Sequence, residues 1–369
     1  MAYLPKGWRY RDFAGGWRFR LLHTTRAEGG PSSGTARYVL FKGDWYDAWR
    51  LYKATDGFAK AYEQEIPLWV RKVKYGTFWG PPLYEGPAKT VKRLCQKLGD
   101  AYLTIGVFGW SLDGDYETER PFITETMHLV MTPEYFARCV KALQTDPRAK
   151  VGLYVQGTLI DSYSDAFRNH PEWALTDREG RPLDSNMADN PVGRLFIFNP
   201  RNDGWVRHFL SRIKALLLKY DPGWLYNDGG AVFEGMDWRT GLPVKVTHWL
   251  DITRRMLEVV RSTGPERALL LNAENFPYGD MYWLECPYFS PTIPWRETVE
   301  YCFDTEFLHD PRRTMLPLYW RDEDRYLAMC ISFGFTPCGP LTDVFSPKVW
   351  RAIEAAWAMR PGELVARSD

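Results

Sequence analysis

The sequence predicts an α/β chain whose main body is a (β/α)8 TIM barrel, preceded by a short antiparallel β segment. Three observations carry this. Apolar runs of strand length recur along the chain, mostly separated by stretches of helical periodicity. These runs end abruptly in aromatic, Gly or acidic residues, as barrel strands do where they present side chains at their carboxyl ends. The clearest is Gly223-Trp224-Leu225-Tyr226-Asn227-Asp228-Gly229-Gly230, which follows a helical pattern over 203–220.

The elements follow in order. Residues 16–22 and 36–41 read as two strands around a Gly/Ser/Pro-rich loop. A lone two-stranded piece is not stable in water. Residues 1–43 must therefore pack on the barrel, expected over 44–369, or on a further sheet domain. A helix is expected over 44–62, with Trp45, Ala48, Trp49 and Tyr52 at helical spacing. Strand candidates are 69–79, 101–110, 150–156, 224–227, 267–271, 281–286, 314–319 and 328–335, the last hard to tell from a helix. Helices are expected over 86–98, 132–143, 203–220 and 246–262. The fifth-to-sixth connection is too short for a full helix. Ser346-Pro347 opens a last helix that Pro361-Gly362 stops, with Ser346 as N-cap and Pro347 at the first helical position.

Composition excludes several classes. The 369 residues carry 47 basic and 46 acidic side chains, a formal net charge of +1. A nucleic-acid footprint needs a clustered basic excess, so no nucleic-acid partner is expected. No run of about 18 apolar residues occurs, so no spanning helix and no membrane partner are expected. The residues after Met1 lack the apolar region of a signal peptide. The six cysteines form no CxxC or Cys/His zinc pattern and mostly sit in apolar runs. Reduced thiols predict a cytoplasmic setting. Asp113-Gly114-Asp115 could open a calcium loop, but the sixth position is Thr118 rather than Gly. The six His form no HxH or HExxH pair, so a metal-dependent hydrolase is disfavoured and no metal or cofactor is expected.

The chain is rich in aromatics, with 17 Trp, 21 Tyr and 20 Phe. Core packing accounts for most of them. Those beside polar strand ends also suit the stacking of sugar rings, and Trp79, Trp110, Trp173 and Trp283 are the candidate platforms. Carboxylates and amides gather at the same strand ends: Asp113 and Asp115 after the second strand, Gln156 at the third, Asn227 and Asp228 at the fourth, Asn272 and Glu274 after the fifth, and Glu285 on the sixth. Asn-Asp-Gly-Gly is also good hairpin-turn chemistry, because these residues accept positive φ. Cleaving a glycosidic bond needs two carboxylates, one to attack or activate water and one to protonate the departing oxygen. Asp228 and Glu274 on neighbouring strands fit that need, with Glu285 as the competing acid. The long loop over 169–182 is the expected binding lid.

The segment His170-Pro171-Glu172-Trp173…Asp177…Gly180…Pro182, then Asn199-Pro200, a helix and a strand ending in Asp228, resembles the catalytic barrels of glycoside hydrolase families 31 and 36. Gly43-Asp44-Trp45-Tyr46-Asp47-Ala48…Tyr52 resembles the linker by which such barrels follow a β-sandwich, which implies that residues 1–43 are the remnant of an N-terminal β-sandwich. The resemblance spans roughly residues 44–360, with loose motifs. It implies a retaining α-glycosidase acting on a galactoside-like, α-linked oligosaccharide or glycoside, with Asp228 as nucleophile. It also implies that acids after the first two strands, here Asp113 and Asp115, grip substrate hydroxyls. One departure stands out. Those families place an Asp after the sixth strand as acid/base, and here that strand gives Glu285 and then Cys286-Pro287-Tyr288-Phe289. A Glu after the fifth strand is the pattern of families 101 and 129, which maps onto Glu274. The alternative is a non-catalytic carbohydrate-binding barrel. Nothing in the sequence indicates an oligomeric state.

Overall fold

The computed structural model describes residues 65–79, 87–125, 128–185, 193–228, 235–272, 278–284, 314–317 and 323–359. All belong to one compact unit, Tyr52–Asp369. The expected strands before residue 42, the 44–62 helix and the sandwich boundary at 43 lie outside the described residues.

Eight parallel strands make up one sheet. They are β1 (Val73–Trp79), β2 (Tyr102–Val107), β5 (Ala149–Val155), β8 (Trp224–Asn227), β11 (Ala268–Leu271), β12 (Met281–Leu284), β13 (Thr314–Pro317) and β14 (Cys338–Gly339). Their order is β13-β12-β11-β8-β5-β2-β1-β14, each neighbour parallel, which is the (β/α)8 barrel. Among the described residues no ladder joins β13 to β14. Tyr326 spans this gap instead. Its hydroxyl lies 3.0 Å from the carbonyl oxygens of both Pro317 and Cys338, and it accepts from the Cys338 N–H.

The connecting helices follow their sequence periods. In α1 (Ala88–Leu98), Val91, Leu94, Cys95 and Leu98 form one buried stripe. Gly99 ends it at φ +70°, a conformation that glycine tolerates best. In α2 (Pro133–Leu143), Phe136, Cys139, Val140 and Leu143 repeat the stripe, and the Thr132 hydroxyl accepts from the Tyr135 N–H. Two small ladders rise from the sheet's carboxyl side. One is β3–β4 (Phe122–Ile123 with Val130–Met131). The other is β6–β7 (Leu159–Asp161 with Leu195–Ile197), near the short α3 (Asp165–Asn169). Then come α4 (Asp203–Tyr220), the hairpin β9–β10 (Gly235–Asp237 with Leu242–Val244) and α5 (Val246–Thr263). Asn202 caps α4 through the N–H groups of Gly204 and Trp205.

The last part corrects one expectation. Residues 328–335 are not the eighth strand. They lie largely in α6 (Glu323–Phe333), where Tyr326, Leu327, Met329 and Cys330 are buried at helical rather than alternating spacing. The eighth strand is the two-residue β14, too short to leave a periodic signal. The final helix, α7 (Pro347–Ala358), has its N-cap at Ser346 as expected.

Strand alternation divides the core in two. Leu103, Ile105, Val107, Val151, Leu153, Val155, Leu225, Leu269 and Leu271 face the helices. Val73, Trp224, Tyr226, Ala268, Leu270, Met281, Trp283 and Leu316 fill the barrel. Trp224 is fully buried, and its indole N–H donates to the Lys150 carbonyl at 2.7 Å. It fits because Gly152 beside it has no side chain: a Cβ there would lie 2.0 Å from the indole ring. Gly106 clears room for the same ring and for Phe78, whose ring a Cβ would meet at 2.4 Å.

Gly152→Ala should therefore destabilise the fold by about 1–3 kcal/mol or more, the usual cost of overpacking a core. Urea denaturation of both proteins measures the difference. An unchanged midpoint would show that the barrel interior tolerates the methyl group.

Candidate active site

Asp228 lies at the carboxyl end of β8, on the barrel-facing parity set by Trp224 and Tyr226. Its backbone N–H donates to Val155 O, which extends the ladder with β5. Tyr154 Oη donates to Asp228 Oδ2 at 3.0 Å, and Asn272 Nδ2 donates to Asp228 Oδ1. Three adjacent strands thus hold one carboxylate. Two donors on a carboxylate favour its charged form and fix its orientation.

A second tier supports this arrangement. Gln156 is buried, and its Nε2 lies 3.4 Å from Tyr154 Oη. Its Oε1 accepts from Thr158 Oγ1 at 3.0 Å. Tyr116 Oη accepts from the Gln156 N–H at 2.7 Å and sits 3.2 Å from Asp113 Oδ1. Asp113 is 2% exposed. Burial, followed by the charges of Glu125, Asp161 and Asp228, pushes its carboxyl well above the usual carboxylate range. Glu125 follows the short β3 strand. Burial, then the Asp161 and Asp228 charges, raise its carboxyl to about 7. Among the described residues no hydrogen bond reaches the Glu125 side chain. Asp161 is fully buried and accepts from the Tyr163 N–H. Four acids from distant parts of the chain thus feel one another at the end of the barrel.

The structure treats the other expected site residues differently. Gln156 and Asn272 serve the Asp228 neighbourhood by positioning Tyr154 and holding Asp228 itself. Asn227 points away from the barrel, as strand alternation requires. It is 4% exposed, and its Oδ1 is packed against Gly157 with no hydrogen-bond partner among the described residues. Asp115 receives the N–H groups of Asp165 and Ala166, both at 3.0 Å, which ties it to the start of α3 rather than to an open cleft. Trp110 is no platform. It is 1% exposed, its ring stacks on Phe136 with centroids 5.0 Å apart, and its indole N–H donates to Tyr154 O. Trp283 is buried inside the barrel against Phe78. Trp173 is buried at the base of the loop after β5 and stacks on His170. In each case the apolar area of the ring is taken up by core packing. The Trp79 side chain, Glu274 and Glu285 lie outside the described residues.

The long loop after β5 is stitched down rather than open. Leu175 N donates to Ile197 O and Leu183 N to Leu175 O, both at 2.8 Å. Arg181 pairs with Asp177 at its tip. Sequence reasoning missed Tyr154, Tyr116, Glu125 and Asp161. Tyr154 shares strand parity with Gln156, so alternation alone could have found it. Nothing in the sequence connects Glu125 with Asp228.

Neither a protein-family model nor a curated protein sequence matches this chain. Solved structures do. A family GH31 sulfoquinovosidase from E. rectale is similar at TM-score 0.56 and 12% identity, over 85% of this chain and 49% of that one. A cycloisomaltooligosaccharide glucanotransferase from Paenibacillus sp. is similar at TM-score 0.52 and 10% identity, over 68% and 38%. An α-galactosidase from Thermus thermophilus is similar at TM-score 0.50 and 16% identity, over 80% and 62%. The chain thus spans between 38% and 62% of the length of these structures. At such identities the likeness is one of fold, and that fold is the (β/α)8 barrel.

The raised Glu125 carboxyl has a consequence for stability. A group held protonated in the fold contributes stability in full below its ordinary value, here 4.5, and loses it as pH rises through about 7. Glu125→Gln should then raise the Tm by a few degrees near pH 8 and hardly change it near pH 4. Thermal scans across that range check this, and a pH-independent difference would refute it.

Proposed function

We propose that this chain is a retaining α-glycoside hydrolase acting on an α-linked, galactoside-like glycan. One observation carries the reading. Asp228 stands at the carboxyl end of the fourth barrel strand with both carboxylate oxygens held by donors from the strands on either side. A carboxylate so oriented is prepared to attack an anomeric carbon. In the first step Asp228 Oδ would form a bond to C1 while the C1–O bond to the leaving group breaks. A second carboxyl would give its proton to the departing oxygen. In the second step that carboxylate would take a proton from water, whose oxygen displaces Asp228 from C1. The α-galactosidase and sulfoquinovosidase activities named for similar structures are compatible with this chemistry.

Glu274 is the proposed acid/base, following the pattern of families 101 and 129, and Glu285 is its competitor. A specific observation favours a second assignment, Glu125. A catalytic pair needs one carboxyl charged and one neutral near working pH. Asp228 has two donors. Glu125 has none among the described residues, and burial with two nearby acids raises it to about 7.

The test uses aryl α- and β-glycosides with Asp228→Ala and with Glu125→Gln, Glu274→Gln and Glu285→Gln. Asp228→Ala should lose nearly all activity on an α-glycoside, and added azide should restore turnover with a β-glycosyl azide as product. The true acid variant should lose about 10²–10⁴-fold on poor leaving groups and little on activated ones. If Glu125 is that acid, kcat/KM of the wild type falls as pH rises through about 7, and Glu125→Gln removes that limb. Full activity in Asp228→Ala would end the retaining assignment.

A further inference from the structure

The Tyr154 phenol is held in one place and, by its neighbours, in one direction. Its ring packs against Phe108 and Tyr226, with centroids 5.4 Å away in both cases. Its carbonyl accepts from the Trp110 indole N–H at 2.8 Å. Its hydroxyl meets Asp228 Oδ2 at 3.0 Å and Gln156 Nε2 at 3.4 Å. A hydroxyl has one hydrogen to give and can also accept. Which neighbour receives that hydrogen decides what Tyr154 does to the carboxylate.

Gln156 settles the direction. The Thr158 backbone N–H can only donate, and it meets one end of the Gln156 amide at 3.3 Å. Thr158 Oγ1 lies 3.0 Å from the same atom. That end is therefore the oxygen, because the surrounding donors fix which way an amide points. The NH2 end is left facing Tyr154, and it can give a hydrogen but not receive one. Tyr154 Oη accepts there and sends its own hydrogen to Asp228. The donors run one way, from Thr158 to Gln156 to Tyr154 to Asp228. Gln156 and Thr158 are both buried, so bulk water does not compete for the middle links. Tyr154 also keeps its hydrogen. Burial raises the phenol well above its ordinary value, and the charges of Asp228, Asp113, Glu125 and Tyr226 push the same way.

Such a donor acts unequally on the two halves of a double displacement. It bonds more strongly to a charged carboxylate than to a neutral ester. Attack on C1 spends the charge of Asp228, so the donor does not help that step. When water displaces Asp228, the C1–Oδ bond breaks and the charge returns, and the hydrogen bond from Tyr154 strengthens as the bond lengthens. We propose that Tyr154 is a catalytic residue of this second half-reaction, donating to Asp228 as it leaves C1, with Gln156 as a positioning residue that acts through Tyr154. Tyr154 keeps its hydrogen throughout. The inference rests on the reading of Asp228 as nucleophile.

Two measurements on the full chain separate it from that reading. The first needs no substrate. In protein carrying 13C at its aspartate carboxyls, the resonance lost in Asp228→Asn reports Asp228. Tyr154→Phe keeps the ring and should move that titration up by about one to two units, the span of one hydrogen bond to a charged group. Gln156→Leu should move it up by less, and should add nothing in the Tyr154→Phe background. Unchanged near-ultraviolet circular dichroism would show that each variant folds. The second measurement uses an activated aryl α-glycoside, for which loss of the glycosyl group from Asp228 limits turnover. Tyr154→Phe should lower kcat about 10–100-fold. KM should fall with it as the glycosyl-enzyme accumulates, leaving kcat/KM within about threefold. An unmoved Asp228 titration in Tyr154→Phe overturns the proposal, as does a fall in kcat/KM as large as that in kcat. Additive shifts in the double variant remove Gln156 from it. Cleavage of no glycoside ends the glycosidase reading and the kinetic role together, while the titration still decides the donor chain.

Discussion

The close approach of Trp224 to Gly152 and Gly106 sets the inside of this barrel. One indole takes the space that three strands leave free, and it can do so only because two of those strands offer hydrogen where a side chain would stand. Packing at interior density tolerates little slip. Gly152 pairs with Trp224 and Tyr154 with Tyr226 along the β5–β8 ladder. A shift of one residue would turn every side chain of a strand to the opposite face. The register that accommodates the indole also brings the Tyr154 hydroxyl to the Asp228 carboxylate. Core packing and site geometry are therefore one constraint rather than two.

Above the core, carboxylates are used in two ways. Some are saturated with donors and act as fasteners. Asp237 joins two rim connections, and Asp115 receives two backbone N–H groups at the start of α3. Glu117 accepts from backbone N–H groups and from two arginines, and these donors outweigh its burial and bring it down to about 2. Others crowd together with few donors. Asp113 and Glu125 are both raised, chiefly by burial and then by neighbouring acids. Such crowding opposes stability at neutral pH and makes sense where proton transfer is required. The division between fasteners and crowded acids follows contacts in space rather than position in the chain.

The amino-acid sequence by itself determined the repeating alternation of strand and helix, because strand-length apolar runs and the 3.6-residue helical period are both written locally in the apolar residues. Strands β2, β5, β8, β11, β12 and β13 and helices α1, α2, α4, α5 and α7 fall where those patterns place them. It also determined the position of Asp228, since a carboxylate directly after a strand can be read one residue at a time. The eighth strand was not legible, because two residues carry no period. The platforms were misjudged for a related reason. Trp110, Trp173 and Trp283 stand beside polar residues in the chain, yet whether a ring faces solvent depends on which helix or strand comes to cover it. Tertiary structure decided that, and it also decided which acids meet. Glu125 and Asp228 belong to connections after the second and fourth barrel strands, with β5 and its long loop between them in sequence, and they feel each other because the fold brings the end of the β3 excursion near the end of β8. Electrostatic coupling depends on distance through space, and the linear chain records none of it.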